Sequence, residues 1–187
     1  MDDYHSQSWI RTFAWALPAF LIVVALVLIE VNHLEGHVTI GNLDYFAMVS
    51  RTGDLFRTLS AWVHGFYPVG IPLLARLGLA LGVDVARFGR VVSVLGAAIY
   101  LVGAGALARN LTRSRLLALL VMAFLVTTGT LRFYAGFEGT DMLAAGLQIL
   151  SLGVLTRDMR DWRSVAVAGL VNGLAYLIRY TALGSTM

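Results

Sequence analysis

The sequence contains five long stretches without a charged residue, separated by short charged connections. The stretches cover residues 12–29, 91–108, 116–131, 142–156 and 164–178, which makes each about 15 to 18 residues long. A helix rises 1.5 Å per residue and needs roughly 17 to 25 residues to cross the ~30 Å hydrocarbon core of a bilayer. The pattern therefore predicts an all-α, polytopic membrane protein with about five transmembrane helices.

We predict one transmembrane domain over residues 1–187, with spans at 12–29, 86–108, 115–131, 141–156 and 164–180. Residues 30–85 form a predicted outward-facing loop, in which apolar residues recur at helical spacing among charged ones and indicate interfacial helices. Pro68 and Pro72 interrupt the apolar stretch that runs to Gly82, so we do not expect a full span there.

Composition supports a lipid environment and argues against nucleic acid as a partner. Hydrophobic residues make up 58% of the chain, charged residues 13%, and the mean hydropathy is +0.77, which is more apolar surface than one soluble core of this size can bury. The net charge is +3, and all 14 cations are arginines, most of them beside apolar stretches, as expected for headgroup anchoring. The absence of cysteine excludes disulfides, thiolate metal sites and a cysteine nucleophile.

The connections at 109–115 and 157–163 each contain three arginines, and the positive-inside rule places them, with the N-terminus, in the cytoplasm. The first stretch is long for a signal peptide, and residues 30–35 offer no small-x-small cleavage site. We therefore interpret it as a retained anchor.

Three acidic residues on the predicted outer side are candidates for chemistry: Asp44 in the long loop, and Glu138 and Asp141 in the turn between two spans. A carboxylate near lipid is costly and often marks a functional site or a paired charge. The alternative is structural, because Asp44 and Asp141 are each also suited to the N-cap of a helix.

Several short segments occur in an order that is similar to a known family. After the anchor stretch come Asp44-Tyr45, Tyr67-Pro68-Val69-Gly70-Ile71-Pro72-Leu73-Leu74, the arginine-led span 87–108, the acidic pair, and residues 173–183. Over about residues 41–183 this order resembles the N-terminal half of polytopic lipid-linked glycosyltransferases of the GT-C type, the mannosyl- and aminoarabinosyltransferase relatives.

The resemblance implies transfer of a sugar from a polyprenyl-phosphate donor to an acceptor outside a bacterial-type cytoplasmic (inner) membrane, with inversion. Asp44 matches the proposed catalytic base. Many relatives have a second acidic residue beside it, where this chain has Tyr45, which weakens a paired-carboxylate or metal role. Asp141, and after it Glu138, match an acidic position for acceptor binding or for holding a cation, so a divalent cation stays an open cofactor.

A departing phosphate needs positive charge, and the outer-side candidates are Arg51, Arg57, Arg132 and Arg179. We select Arg57 and Arg179, with snorkelling to lipid headgroups as the alternative for each. The histidines of the outer loop lack metal-ligand spacing.

The relatives have about twice as many spans, so we expect the chain to be the N-terminal part of a larger architecture or to have a protein partner that completes the fold. The competing hypothesis is a non-catalytic membrane subunit of a larger complex; Gly169 and Gly173 have the spacing of close helix packing. A transporter ranks third, because the spans contain hardly any ionisable residues.

Overall fold

The computed structural model describes residues 70–83, 85–136 and 139–179, together with Pro68, and these residues form α-helices without any β-strand. The predicted all-α fold class is confirmed for this part of the chain. Its helices are α1 (Gly70–Ala80), α2 (Val85–Thr112), α3 (Arg115–Thr127), α4 (Gly129–Gly136), α5 (Asp141–Leu155) and α6 (Trp162–Ile178).

The most extensive helix contact joins α2 and α5, which run parallel. Gly96 of α2 lies against Leu143 of α5, and Gly103 lies against Leu150 one heptad further along both helices. The constant offset in sequence means that the helices stay in register over their shared length. A contact that repeats every seven residues is typical of helices that pack in the left-handed manner of a coiled coil.

Glycines allow the two backbones to approach closely. A Cβ at Gly146 would overlap the carbonyl oxygen of Gly96, and one at Gly153 would lie 2.9 Å from the carbonyl oxygen of Gly103. Small residues at helix interfaces are the usual means of bringing backbones together where lipid supplies no hydrophobic driving force between helices.

Polar side chains form hydrogen bonds at both ends of the contact between α2 and α5. Near the start of α5, the buried hydroxyl of Ser93 donates to the carbonyl of Gly139 at 3.2 Å and accepts from its N–H at 3.4 Å. At the other end, Nδ2 of Asn110 donates to the carbonyl of Gly153 at 2.7 Å and contacts Oγ1 of Thr156 at 3.5 Å. The bonds to Gly139 and Gly153 satisfy backbone groups of these residues and fix the register of the pair.

The predicted span 115–131 is interrupted. Helix α3 ends at Thr127, Thr128 is extended (φ −71°, ψ 127°), and α4 leaves at a bend of 66°. The hydroxyls of Thr127 and Thr128 donate to the carbonyls of Phe124 and Leu125 at 2.7 and 2.6 Å. These bonds offset the backbone bonds that the break removes.

Within the predicted outer loop, α1 is a helix of 11 residues, about 17 Å long and too short to cross a bilayer. It ends in a Schellman motif, in which Gly82 adopts φ +71° and the N–H of Val83 donates to the carbonyl of Gly78 at 3.0 Å. Ala75 of α1 packs with Ala144 and Ile178, so α1 lies against the beginning of α5 and the end of α6.

One described helix, residues Arg87–Thr112, is long and apolar enough to cross a membrane, and the bent pair α3 and α4 is a second if it counts as one span. Helices α5 and α6 are apolar but shorter, at 15 and 17 residues. Helix α2 extends past its predicted limits of 86–108 at both ends. The predicted first span, 12–29, lies outside the described residues.

Many large apolar side chains of the described helices are exposed on their outward faces. On α3, only Ala118 and Met122 are buried, whereas Leu116 and Phe124 are 67% and 68% exposed. On α6, Leu170 is 67% exposed. Apolar surface of this extent requires a lipid or protein environment.

We expect Gly146→Ala to destabilise the protein and Gly169→Ala to leave it unchanged or slightly more stable. Alanine at 146 forces α2 and α5 apart, at an overpacking cost of about 1–3 kcal/mol. A Cβ at Gly169 meets no atom within 4 Å in the described part of the chain, and alanine favours a helix interior by up to about 1 kcal/mol. Thermal unfolding of both variants in mild detergent measures the difference; equal melting temperatures would contradict the glycine contact.

Candidate functional site

Charged residues of the described chain lie at two opposite ends of the helical layer. We call the end where α5 begins and α6 stops the Asp141 end, and the end where α5 stops and α6 begins the Asp161 end. Between them the helices α3, α5 and α6 are almost free of charge. Among the described residues, charged groups are therefore available mainly at these two ends.

At the Asp141 end, Asp141 and Arg179 form an ion pair between Oδ1 and Nη1. Their side chains are 38% and 42% exposed, so water reaches both groups. Two residues that the sequence analysis selected for different roles, an acidic acceptor or cation site and a phosphate ligand, are therefore in direct contact.

Helix geometry favours this pair. The N-cap of α5 is Thr140, and Asp141 is the first residue of the helix, so the capping alternative for Asp141 does not describe its position. Arg179 occupies the C-cap of α6. The positive N-terminal end of α5 stabilises the carboxylate and the negative C-terminal end of α6 stabilises the guanidinium.

The ion pair lines a cavity of about 570 Å³ that extends between α2, the α3–α4 bend and α5. Its polar lining consists of Tyr100, Thr128, Thr130, Tyr134, Asp141, Gln148 and Arg179, and its apolar lining of Leu125, Leu131, Met142, Ala144 and Ala145. The volume is within the range of small-molecule sites. Asp141 and Gln148 are seven positions apart, about 10 Å along the helix axis, so polar groups continue from the rim into the apolar layer.

The bend at Thr128 helps to form this cavity, because α3 and α4 contribute their residues to it on either side of the break. Leu125 lies before the break, while Thr130, Leu131 and Tyr134 follow it. Tyr134 also makes an edge-to-face contact with Phe133, with ring centroids 5.4 Å apart. If α3 and α4 formed one straight helix, Thr130, Leu131 and Tyr134 would have different positions relative to α5.

Most residues that line the cavity were not predicted from the sequence. Asp141 and Gln148 are seven residues apart and therefore share a face of α5, which is a signal that the sequence does contain. Tyr100 and Tyr134 come from other helices and have no such signal. Arg76 of α1, which does not line the cavity, was also not selected from the sequence. Its Nη1 is buried and has no hydrogen-bond partner among the described residues.

The remaining site predictions fall outside the described part of the chain. Asp44, Arg57 and Glu138 lie there, so the structure does not place the predicted base, the second phosphate ligand or the alternative acidic residue. Among the described residues, no group of three or more His, Cys, Asp or Glu side chains comes together. A divalent cation at Asp141 would need ligands from elsewhere, and it would compete with Arg179 for the carboxylate.

Comparisons with known proteins give no relative for this chain: no protein-family model matches it, no curated protein matches its sequence, and no solved structure matches its fold.

We expect the two members of the ion pair to be energetically coupled but only weakly. Because both side chains are partly exposed, Asp141→Asn and Arg179→Gln should each lower the free energy of unfolding by less than about 1 kcal/mol, with a coupling energy of roughly 0.2–1 kcal/mol. A double-mutant cycle of thermal unfolding in detergent measures this coupling. If the double variant loses the full sum of the single losses, the pair does not contribute to stability.

Proposed function

We propose that this chain is a multi-pass protein of the cytoplasmic membrane that transfers a sugar from a polyprenyl-phosphate donor to an acceptor on the outer side. The observation that carries the proposal is the Asp141–Arg179 pair at the rim of an amphipathic cavity. Such a cavity can hold a ligand that combines a charged phosphate with apolar and hydroxylated parts. The proposal also rests on the order of motifs that resembles the lipid-linked glycosyltransferases.

The helical arrangement supports the multi-pass part of the proposal. Helix α2, the bent α3–α4 pair, α5 and α6 alternate in direction, as α2 and α5 are parallel and are joined through the intervening pair. The arginine-rich connections both lie at the Asp161 end. With that end in the cytoplasm, the positive-inside rule is obeyed and the Asp141 end faces outward.

In the proposed reaction, Asp44 accepts the proton of an acceptor hydroxyl while the hydroxyl oxygen forms a bond to the anomeric carbon. The bond between that carbon and the phosphate oxygen breaks, and its electron pair leaves with the polyprenyl phosphate. Attack opposite the leaving group inverts the configuration. Arg179, and with it Arg57, stabilises the charge that develops on the phosphate.

Asp141 has a positioning role in this scheme. Its carboxylate holds the Arg179 guanidinium at the cavity rim, and a guanidinium has enough donors to contact a carboxylate and a phosphate together. A donor phosphate could then bind without first breaking the ion pair.

We expect Asp44→Asn to abolish sugar transfer in membranes while the protein stays folded, because asparagine cannot accept the proton. Arg179→Gln should slow transfer by about 10²–10³, the usual effect of losing one donor to a developing oxyanion. The matched control is Asp158→Asn at the opposite end, where the side chain is exposed. Transfer from a radiolabelled polyprenyl-phosphate sugar is the measurement, and full activity of Asp44→Asn would remove Asp44 from the mechanism.

The absence of cysteine allows the orientation to be tested with single-cysteine variants. Arg132→Cys and Arg160→Cys change the same residue type at exposed positions towards the two ends of the layer. In intact spheroplasts, a membrane-impermeant maleimide should label the Arg132→Cys variant, while the Arg160→Cys variant should react only after permeabilisation. The reverse pattern would invert the topology, and labelling of both variants from outside would contradict a multi-pass arrangement.

A non-catalytic membrane subunit is the second candidate, and a specific observation favours it. A Cβ at Gly169 or Gly173 of α6 would meet no described atom within 4 Å outside the neighbouring backbone of α6, and Leu170 and Leu174 beside them are exposed. The predicted close packing at these glycines is therefore not made within the described residues, which leaves the face open to another helix. This candidate predicts a stoichiometric protein partner and no effect of Asp44→Asn.

A further inference from the structure

A second, smaller cavity of about 250 Å³ lies at the Asp161 end, away from the cavity at the ion pair. Its lining is Arg109, Asn110, Arg113 and Arg157, so three of the four residues are cationic. Arg109 and Asn110 belong to the last turn of α2, Arg113 follows that helix, and Arg157 follows α5. Arginines from two chain segments more than 40 residues apart in sequence therefore line the same cavity.

The positions of these arginines are fixed by the α2–α5 contact. Asn110 binds the carbonyl of Gly153 at 2.7 Å, which holds the ends of the two helices together. Arg113 has φ +57°, the left-handed conformation that usually favours glycine or asparagine after a helix. A non-glycine residue in this region costs about 1–2 kcal/mol, and such strain occurs most often at functional positions.

The positive charge at this end exceeds the negative charge. Within the described residues it has six arginines, Arg109, Arg113, Arg115, Arg157, Arg160 and Arg163, and two aspartates, Asp158 and Asp161. Both carboxylates already accept hydrogen bonds from the backbone: Asp158 from the N–H of Arg160 at 3.0 Å, and Asp161 from the N–H of Arg163 at 3.2 Å.

Burial and neighbouring charges both act on the ionisable groups around the cavity. Burial lowers the pKa of Arg157, Asp161 and Asp158 raise it, and the nearby charge of Arg109 lowers it. The pKa of Asp161 lies below its usual value, chiefly because the N–H of Arg163 donates to its carboxylate. An incoming anion would relieve the repulsion between Arg157 and Arg109.

We propose that the cavity of Arg109, Asn110, Arg113 and Arg157 binds a phosphate group. The phosphate belongs to the headgroup of an anionic phospholipid or to a soluble phosphate on the same side. Guanidinium groups bind phosphate oxygens in a bidentate manner, and three of them around one small cavity provide both the charge and the directed donors. The site is separate from the proposed transferase chemistry and does not depend on it.

A purely structural explanation is the attraction of arginines to the carbonyl ends of α2 and α5. The two explanations differ in what the variants do. If the arginines only complement the helix ends, no saturable phosphate binding exists, and neutralising them affects stability alone.

The full chain in a neutral detergent is titrated in separate experiments with short-chain phosphatidylglycerol, with phosphatidylcholine of the same chain length and with inorganic phosphate. Native mass spectrometry counts the bound molecules. We expect one saturable adduct with phosphatidylglycerol or with phosphate, and weaker binding of phosphatidylcholine. If inorganic phosphate forms the adduct by itself, the ligand is a soluble phosphate. If the adduct forms only with the phospholipid, the ligand is a lipid headgroup.

Two double variants remove equal charge at the same end. Arg113→Gln with Arg157→Gln should weaken the adduct about twenty-five-fold, at roughly fivefold per arginine. Arg160 and Arg163 do not line the cavity. The double variant Arg160→Gln with Arg163→Gln should therefore leave the affinity of the adduct unchanged. Equal losses in both variants, equal binding of phosphatidylcholine, or no saturable adduct would each overturn the proposal.

The variant Arg113→Gly distinguishes a loss of phosphate binding from a loss of folding. Glycine relieves the left-handed strain at this position, so its melting temperature should be equal to or above that of the unchanged chain. Its phosphate adduct should nevertheless weaken about fivefold. An Arg113→Gly variant that binds phosphate as tightly as the unchanged chain would contradict the role of Arg113.

Discussion

The close parallel contact of α2 and α5 is the interaction on which the rest of the described structure depends. Glycines at heptad spacing let the two backbones meet, and Ser93 and Asn110 fix the register at either end. The other helices pack onto this pair. Met122 of α3 contacts Gly105 of α2, and the buried hydroxyl of Ser151 on α5 donates to the carbonyl of Ala168 on α6 at 2.8 Å.

Both candidate sites lie at ends of this contact. At one end, the first residue of α5 meets the C-cap of α6 in the Asp141–Arg179 pair; at the other, Arg109 and Arg157 approach because α2 and α5 stop close together. A charge is costly within an apolar layer and inexpensive at its boundary with water. The same cost that keeps the helices apolar therefore concentrates the charged groups of the described residues at the two ends.

At the break at Thr128, side-chain hydroxyls supply hydrogen bonds to carbonyls at the end of the helix. Two threonine hydroxyls bind carbonyls in the last turn of α3, and the 66° bend places residues of α4 beside α5. The larger cavity depends on this bend for part of its lining. The break in the helix thus coincides with the larger cavity.

The sequence alone determined the helical class of the described residues, because the backbone bonds of a helix are local and apolar stretches report where they are made. The predicted spans 86–108, 141–156 and 164–180 each overlap one observed helix, whereas 115–131 is divided between two. The tertiary structure decided what depends on contacts between distant segments. Gly169 and Gly173 match the packing motif, yet Gly96 and Gly146 make the close contact, since spacing does not specify which face meets a neighbour. Thr128 is compatible with a continuous helix or a break. Asp141 and Arg179 were each identifiable as candidates, but their pairing across 38 positions of sequence required the fold.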